Sequence, residues 1–491
     1  MKTGKRICLE SILKHTDVKI LSPEIIEHRE NIFIETLSTD TRTIEKGDFF
    51  VPVRGDNFDG HDFIPEALNK GCRGFVFEKE NEKKIENYLK KYSKEKTRKL
   101  LLLKSSSNIS FLLDLCAGYI RDFTVKTIGI TGSAGKTTTK EFIASIMAQD
   151  FKIALTQKNY NTELGLSKAV LEIDGQTQFF IAEIGMRAKG QVKKLSGIIN
   201  VSTGAITSVG KAHLEFFNDV SQIALAKAEI ADIISSNNGV LFLNSDDKWT
   251  QFIIKHFWDK KLEVNIKKFG RSSENDFSFI EKSADSYGRY VFDLYKGSKK
   301  ISEIKMPVPG FHNIYNACCA AAISFYLGAS AKSIAKGIEA TVPEGSRMRV
   351  FSKEGIIIID DCYNASPDSM KCAIDTLKMV AGKKKARSVA LLADMLELGP
   401  DSKKLHFEIG RYLANNDINI IISYGKLAEN ICLGYEQALS EDKRKTGKKN
   451  IYHFNDMKKL CGQICKILKK EDVVLIKGSR ANSLENVIEY I

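Results

Sequence analysis

At 491 residues, with 43% apolar and 27% charged side chains, the chain can bury several cores and is not a disordered polypeptide. No apolar run reaches the roughly 20 residues of a membrane span, and the start MKTGKRICLESIL lacks the apolar stretch and small-residue cleavage site of a secretory leader. A cytoplasmic protein without membrane insertion is therefore expected. The formal charge of +13 raises nucleic acid as a partner, yet the lysines gather in 81–99 and 441–450, which alternate with acids or lie in probable loops. That pattern fits solvated surface and small anionic substrates, with no nucleic acid. The ten cysteines have no zinc-finger spacing, so reduced, buried thiols are expected.

Short strand-like runs at 32–37, 48–53, 74–77 and 100–103, with turn residues between them, predict a compact α/β module over 1–104. The polar break SSSN after Lys104 supplies helix-capping residues, and an amphipathic helix then leads to the apolar strand 125–130. That strand runs into GITGSAGKTTTK. A buried strand that stops at glycine turns and opens a helix presents unpaired N–H groups to an anion. Gly132, Ser133, Ala134, Gly135, Lys136, Thr137 and Thr138 are the candidate ATP contacts. Lys136 would reach the outer phosphates, and the Thr137 hydroxyl would ligate Mg²⁺. Ile130 stands where the general pattern has its first glycine, so the loop is a tighter variant.

From 127 to about 343 strands alternate with helices, and the apolar runs 179–184, 204–209 and 239–244 predict a parallel sheet covered on both faces. Glu183, at the end of the first run, is placed to meet Mg²⁺. His213, released by the glycine turn after 204–209, is a packed or exposed residue on the plainer reading and a metal ligand on the sharper one. Lys227 lies among Ala224, Ala226 and Ala228. Read from these residues alone it is a surface lysine, although burial would neutralise the amine and open it to carbamylation by CO₂. A polar, strand-like excursion over 276–305 precedes the helix 313–326, where Asn313 and Asn316 stand one turn apart. Asn313 reads as an N-cap or, with Asn316, as a reader of the adenine edge.

A further unit begins near Glu344, with apolar strands at 356–359, 389–392, 418–423 and 473–476 separated by helical segments. Arg347 suits a bidentate phosphate contact and Asp361 a ribose hydroxyl. Asp394, Glu397 and Gly399 follow one strand, with His406 beyond them. The cationic turn Lys477-Gly478-Ser479-Arg480 follows the last strand and suits an anionic group. The expected fold class is α/β in three domains: a module at 1–104, a central P-loop ATPase-type parallel sheet at 105–344 and a Rossmann-like domain at 345–491.

Collinear along the chain, TDTRTIEKGDFFVPVRGDNFDGHDF, TGSAGKTTTK, KNYNTELGL, AEIG, TSVGKAHLEFF, ALAKAEI, PGFHNIYNA, RMR, DDCYNASPDSM, ADMLELG and KGSRAN resemble the Mur ligase family almost end to end. The pairing of AHLEFF with DDCYNASPDSM and LADMLELG resembles the branch that adds D-alanyl-D-alanine. The resemblance implies an ATP-dependent ligase acting on UDP-N-acetylmuramoyl-tripeptide through an acyl phosphate, the last cytoplasmic step towards the pentapeptide precursor of peptidoglycan. It implies two Mg²⁺ ions, with Lys136 on the transferred phosphate, Thr137 and Glu183 at the first ion and His213 at the second. It also implies a carbamylated Lys227, reversing the reading from the residues alone.

By the same resemblance Asn313 and Asn316 match the adenine-reading pair, Arg347 the phosphate contact and Asp361 the ribose contact. The module at 1–104 becomes the UDP-MurNAc-peptide domain, with Asp40, Thr41, Arg42, Asp59, Gly60 and His61 on the substrate. Asn159, Asn161, Tyr363 and Asn364 complete the substrate set, the C-terminal domain contacts D-Ala-D-Ala and nucleotide, and a monomer is expected. The chain departs from the family pattern at Thr41, at Thr162 where asparagine is frequent, after Gly165 where a proline is usual, and at Cys362 where serine is common. A folate ligase would lack the sugar domain. A Mur ligase of another branch would add a single amino acid, and a silent nucleotide-binding partner would not need Lys136, Thr137, Glu183, His213 and Lys227 together.

Overall fold

The computed structural model describes residues 2–22, 29–55, 57–157, 162–441 and 450–491. Two compact units divide the chain: Met1–Gly129, Phe151–Gly185 and Val192–Thr203 in the first, Ile130–Asp150, Met186–Gln191 and Gly204–Ile491 in the second. Both are α/β. Among the described residues, no helix is long and apolar enough to cross a membrane.

The first unit holds a six-stranded sheet in the order Lys2–Cys8, Phe33–Ser38, Phe49–Phe50, Gly74–Glu78, Leu101–Ser105, Val18–Ile20. Its four inner strands are parallel and its two edges antiparallel. Ile44, Phe50, Ile64, Leu68, Phe75, Phe77 and Ile85 fill the core on one side. The strand expected at 48–53 is only Phe49–Phe50, followed by Pro52, which has no N–H for a ladder. The edge strand Lys2–Cys8, KTGKRIC, lacks apolar alternation and was not legible in advance. Ser107 caps the helix Asn108–Arg121 by accepting from the Ser110 N–H at 3.4 Å, as the SSSN break implied. The same unit pairs Ile153–Leu155 in parallel with Phe179–Glu183.

In the second unit Val240–Asn244, Asn265–Gly270 and Phe277–Ala284 run parallel. The polar excursion is an antiparallel meander continuing through Arg289–Lys296 and Lys299–Pro309. One face of it is dry, with Phe277, Phe279, Phe292, Leu294, Ile304 and Met306 buried. The helix His312–Tyr326 carries a small-residue run from Ala317 to Ala322 and packs against Lys136–Met147, the helix after the glycine loop.

A second six-stranded sheet follows in the order Arg349–Lys353, Ile356–Asp360, Val473–Lys477, Ser388–Ala393, Ile420–Tyr424, Asn450–Phe454. All but the antiparallel first strand are parallel. Alternate strand residues enter two different cores: Ile359, Ala390, Leu392 and Leu475 in one, Ile358, Val389, Leu391 and Ile476 in the other. Burial on both faces is why these strands read as continuous apolar runs. Asp361, Asp394 and the end of the Lys477 strand therefore gather at the carboxyl edge, where such sheets bind ligands.

Candidate nucleotide and substrate sites

The glycine loop is clamped onto the residues after the Thr203–Ile206 strand. Ser133 N–H donates to Ser208 O at 2.8 Å, Ala134 N–H to Ser208 Oγ at 3.1 Å and Gly210 N–H to Ser133 Oγ at 2.9 Å. Thr207 Oγ1 donates to Ala134 O at 2.5 Å. Gly132 and Gly135 have φ of 155° and 83°, and a Cβ on them would stand 1.9 Å from Thr207 Oγ1 and 2.2 Å from Asn316 Oδ1. Only glycine fits this path. With the Ser133 and Ala134 amides turned into the protein, the place for an anion is the first turn of Lys136–Met147, whose N–H groups lack intrahelical acceptors. Thr137 is buried there, Thr138 is half-buried, and Lys136 Nζ donates to Gly132 O at 2.9 Å.

Lys227 is buried in the helix Val220–Ala228, so the plain reading of a surface lysine is overturned. Burial, and secondarily the charge of Lys136, holds its amine well below the ordinary lysine range. His213 has φ 61°, and its Nδ1 lies 2.6 Å from Glu397 Oε2. Burial pushes the imidazole below its ordinary value despite that carboxylate, while the hydrogen bond from His213 holds Glu397 low. Arg187 Nη2 donates to the other oxygen of Glu397 at 3.0 Å.

Asn313 is not an N-cap, because Phe311 occupies that position. Its Nδ2 donates to Pro309 O at 2.7 Å, and its Oδ1 accepts from Asn316 Nδ2 at 2.9 Å, so the pair braces the glycine loop through Gly135. The Arg347 guanidinium stacks on Tyr363, 3.5 Å from the ring centroid. Asp361 accepts from Met348 N–H at 3.2 Å and from the buried Lys477 ammonium at 2.5 Å. The anion that the cationic turn was expected to meet is thus, for Lys477, a carboxylate of the chain itself. Lys477 also donates to Asn364 O at 2.9 Å, and the Cys362 thiol donates to Ile476 O at 3.3 Å. His406 is a buried support, donating from Nδ1 to Ser402 O and accepting the Met395 N–H at Nε2.

The first unit carries the remaining candidates. Glu183 is buried at its strand end, its N–H donating to Thr156 Oγ1 at 3.0 Å. Asp40 caps the turn Thr41–Thr43 and holds Arg42 through both carboxylate oxygens, and those bonds lower its carboxyl to about 2. The hydroxyl that Thr41 shares with serine donates to Glu66 Oε2 at 3.0 Å. His61 is fully buried. Asp59 accepts from its Nδ1 at 2.6 Å, and Glu78 N–H donates to its Nε2 at 3.1 Å, so it shapes the loop from inside. Gly60 lies against Val53, whose carbonyl oxygen would be 2.5 Å from an added Cβ. Thr162 caps the helix Glu163–Leu171, a role that asparagine shares. Asn159 and Asn161 lie outside the described residues.

Among the described residues, no three His, Cys, Asp or Glu side chains converge as a ready-made metal cage. Magnesium is commonly held by one or two protein oxygens plus phosphates and water; the Thr137 hydroxyl in the second unit and the Glu183 carboxylate in the first are each a donor of that kind. The contributions of Glu397, Arg187 and Lys477 were missed as pairings. Their one sequence signal was position, just beyond the carboxyl ends of apolar strands.

A glycine loop between a buried strand and a helix that begins at Lys136 defines a P-loop nucleotide-binding protein. The chain matches the Mur ligase family, catalytic domain, over residues 33–106, the Mur ligase middle domain over 130–324 and the Mur ligase, glutamate ligase domain, over 346–480. It belongs to the Mur ligase family. It is 29% identical to the UDP-N-acetylmuramoyl-tripeptide–D-alanyl-D-alanine ligase of Bacillus subtilis, over 94% of this chain and 93% of that one. To the ligase of the same name from Synechocystis sp. it is 31% identical over 78% and 77% of the two chains. The fold is similar to MurF from Acinetobacter baumannii, with TM-score 0.84 at 24% identity over 99% of each chain. It is also similar to the MurF ligase from Thermotoga maritima in complex with ADP, with TM-score 0.76 at 26% identity over 93% and 96%.

Proposed function

We infer that this chain joins D-alanyl-D-alanine to UDP-N-acetylmuramoyl-tripeptide at the expense of ATP, forming the pentapeptide precursor of peptidoglycan. The observation that carries the reading is likeness to ligases of that name along nearly the whole of both chains, with the phosphate loop intact. A peptide carboxylate is a poor electrophile. Its oxygen attacks the γ-phosphorus and ADP leaves; the dipeptide amine then attacks the acyl carbon and phosphate leaves. The protein's part is to position the reactants and neutralise charge. Lys136 exchanges the Gly132 carbonyl for a phosphate oxygen, and Arg347 leaves Tyr363 for the nucleotide. Asp361 takes a ribose hydroxyl, and Asn313 and Asn316 stand at the adenine.

Thr137 and Glu183 would hold a first Mg²⁺ and His213 would take part at a second; magnesium bound there would supply charge neutralisation on the phosphates. Burial favours the neutral form of the Lys227 amine, which in this reading adds CO₂, releasing a proton and gaining an anionic oxygen donor. Asp40, Thr41, Arg42, Asp59, Gly60 and His61 form or support the sugar-nucleotide site, with Asn159, Asn161, Tyr363 and Asn364 at the peptide substrates. We assign the sugar nucleotide to 1–104, ATP to 105–344, and the dipeptide with further nucleotide contacts to 345–491. ATP and a nucleotide-linked substrate support a cytoplasmic reaction. The test is phosphate release from ATP, expected only with UDP-MurNAc-tripeptide and D-Ala-D-Ala together. Starting from ¹⁸O-labelled tripeptide carboxylate, the label should appear in the phosphate. Release that ignores the dipeptide, or unlabelled phosphate, would overturn the reading.

A further inference from the structure

Glu397 and His213 have φ of 60° and 61°, a region that non-glycine residues rarely occupy, and they meet at 2.6 Å. Both ends of the contact are built. Around Glu397, Met395 N–H donates to His406 Nε2 and Leu396 N–H to Ser479 Oγ, both at 2.9 Å. Around His213, Lys211 N–H donates to Asp368 Oδ2 at 2.9 Å and Glu215 N–H to Glu397 O at 3.1 Å. The second carboxylate oxygen of Glu397 is held by Arg187 at 3.0 Å. Strained backbone persists only where its surroundings over-determine it, and such strain clusters at functional sites.

We propose that Glu397 is a positioning residue for His213: by accepting from Nδ1–H it fixes the tautomer whose Nε2 presents a lone pair for a metal ion. A neutral imidazole has one donor and one acceptor nitrogen, so a carboxylate on Nδ1 settles which is which. Metal-ligating histidines are commonly oriented by a carboxylate in this way. Arg187 restricts Glu397 to the oxygen and rotamer that reach the ring. The inference rests on the reading of His213 as a participant at the second Mg²⁺.

The experiment is a Mn²⁺ titration followed by electron paramagnetic resonance on the full chain with a non-hydrolysable ATP analogue, with thermal unfolding recorded for each variant. His213→Ala is expected to weaken the lower-affinity Mn²⁺; if it does not, the reading of His213 fails and the proposal with it. Given that loss, Glu397→Ala is expected to weaken the same ion about 10–100-fold. Glu397→Gln, isosteric and still an acceptor, should fold as the parent does and lose less. The double variant with His213→Ala should lose no more than His213→Ala alone. Parent-like Mn²⁺ affinity in Glu397→Ala and Glu397→Gln, with only the unfolding temperature lowered, would reduce the contact to a structural staple and overturn the proposal.

Discussion

Lys477 and Asp361 meet at 2.5 Å beyond the carboxyl ends of two neighbouring strands, with the lysine side chain only 2% exposed and the aspartate 15%. Asp361 N–H donates to Ile476 O and its carboxylate accepts from Met348 N–H, so the lysine completes a fixed setting for one carboxylate. Removing one partner of a buried pair leaves the other charge uncompensated, at about 3–5 kcal/mol. Lys477→Met should therefore lower unfolding stability by roughly that amount in a urea titration. If Asp361 takes the ribose, the variant that remains folded should also show a raised KM for ATP and a parent-like KM for D-Ala-D-Ala.

Gly135→Ala tests the loop. The φ of 83° is costly for alanine, and the new Cβ would stand 2.2 Å from Asn316 Oδ1. We expect ATP turnover to be lost and the melting temperature to fall, from about 1–2 kcal/mol of backbone strain plus the clash. Adding Asn316→Ala removes the clash but not the strain, so the melting temperature should recover in part while turnover stays lost. Full recovery of turnover would show that the loop tolerates the changed path.

The strands that were legible beforehand are those whose burial leaves a signature. Runs such as 389–392 and 473–476 are apolar at every position because each is covered on both faces. Arg349–Lys353 and Asn450–Phe454 are mixed edge strands and left no such mark. The glycine loop was legible because its geometry demands particular residues at fixed spacing. Lys227 was not, because a lysine announces nothing of its burial, and the alanines around it are equally at home in any helix. The link from His213 to Glu397 was beyond sequence reading, since the pair is 184 residues apart. The resemblance assigns His61 to the substrate, and only the packed structure commits both of its ring nitrogens inward.

Glu141, on the helix after the glycine loop, predicts a pH dependence of stability. Burial raises its carboxyl from the ordinary 4.5 to about 7, offset in part by Arg347 and Lys140. Between those values the folded chain binds more proton than the unfolded chain, so stability falls as pH rises from about 4.5 and levels off above about 7. Glu141→Gln removes that dependence. Chemical denaturation should find the variant more stable than the parent at pH 8, by about 2–3 kcal/mol, and no more stable at pH 4. Equal effects at both pH values would place the carboxylate's cost outside its ionisation.

The proposed carbamylation of Lys227 makes a separate demand. CO₂ adds only to a neutral amine, and burial with the nearby charge of Lys136 favours the neutral form of this one. Ligation should therefore fall when bicarbonate and dissolved CO₂ are stripped and return when they are restored. Lys227→Ala should abolish it, with partial rescue by formate or acetate as a diffusible carboxylate. The readout independent of turnover is ¹³C magnetic resonance with labelled bicarbonate, expected to give a carbamate signal in the parent and none in Lys227→Ala. A parent without that signal, fully active in CO₂-free buffer, would leave Lys227 as a buried neutral amine that acts through its own lone pair.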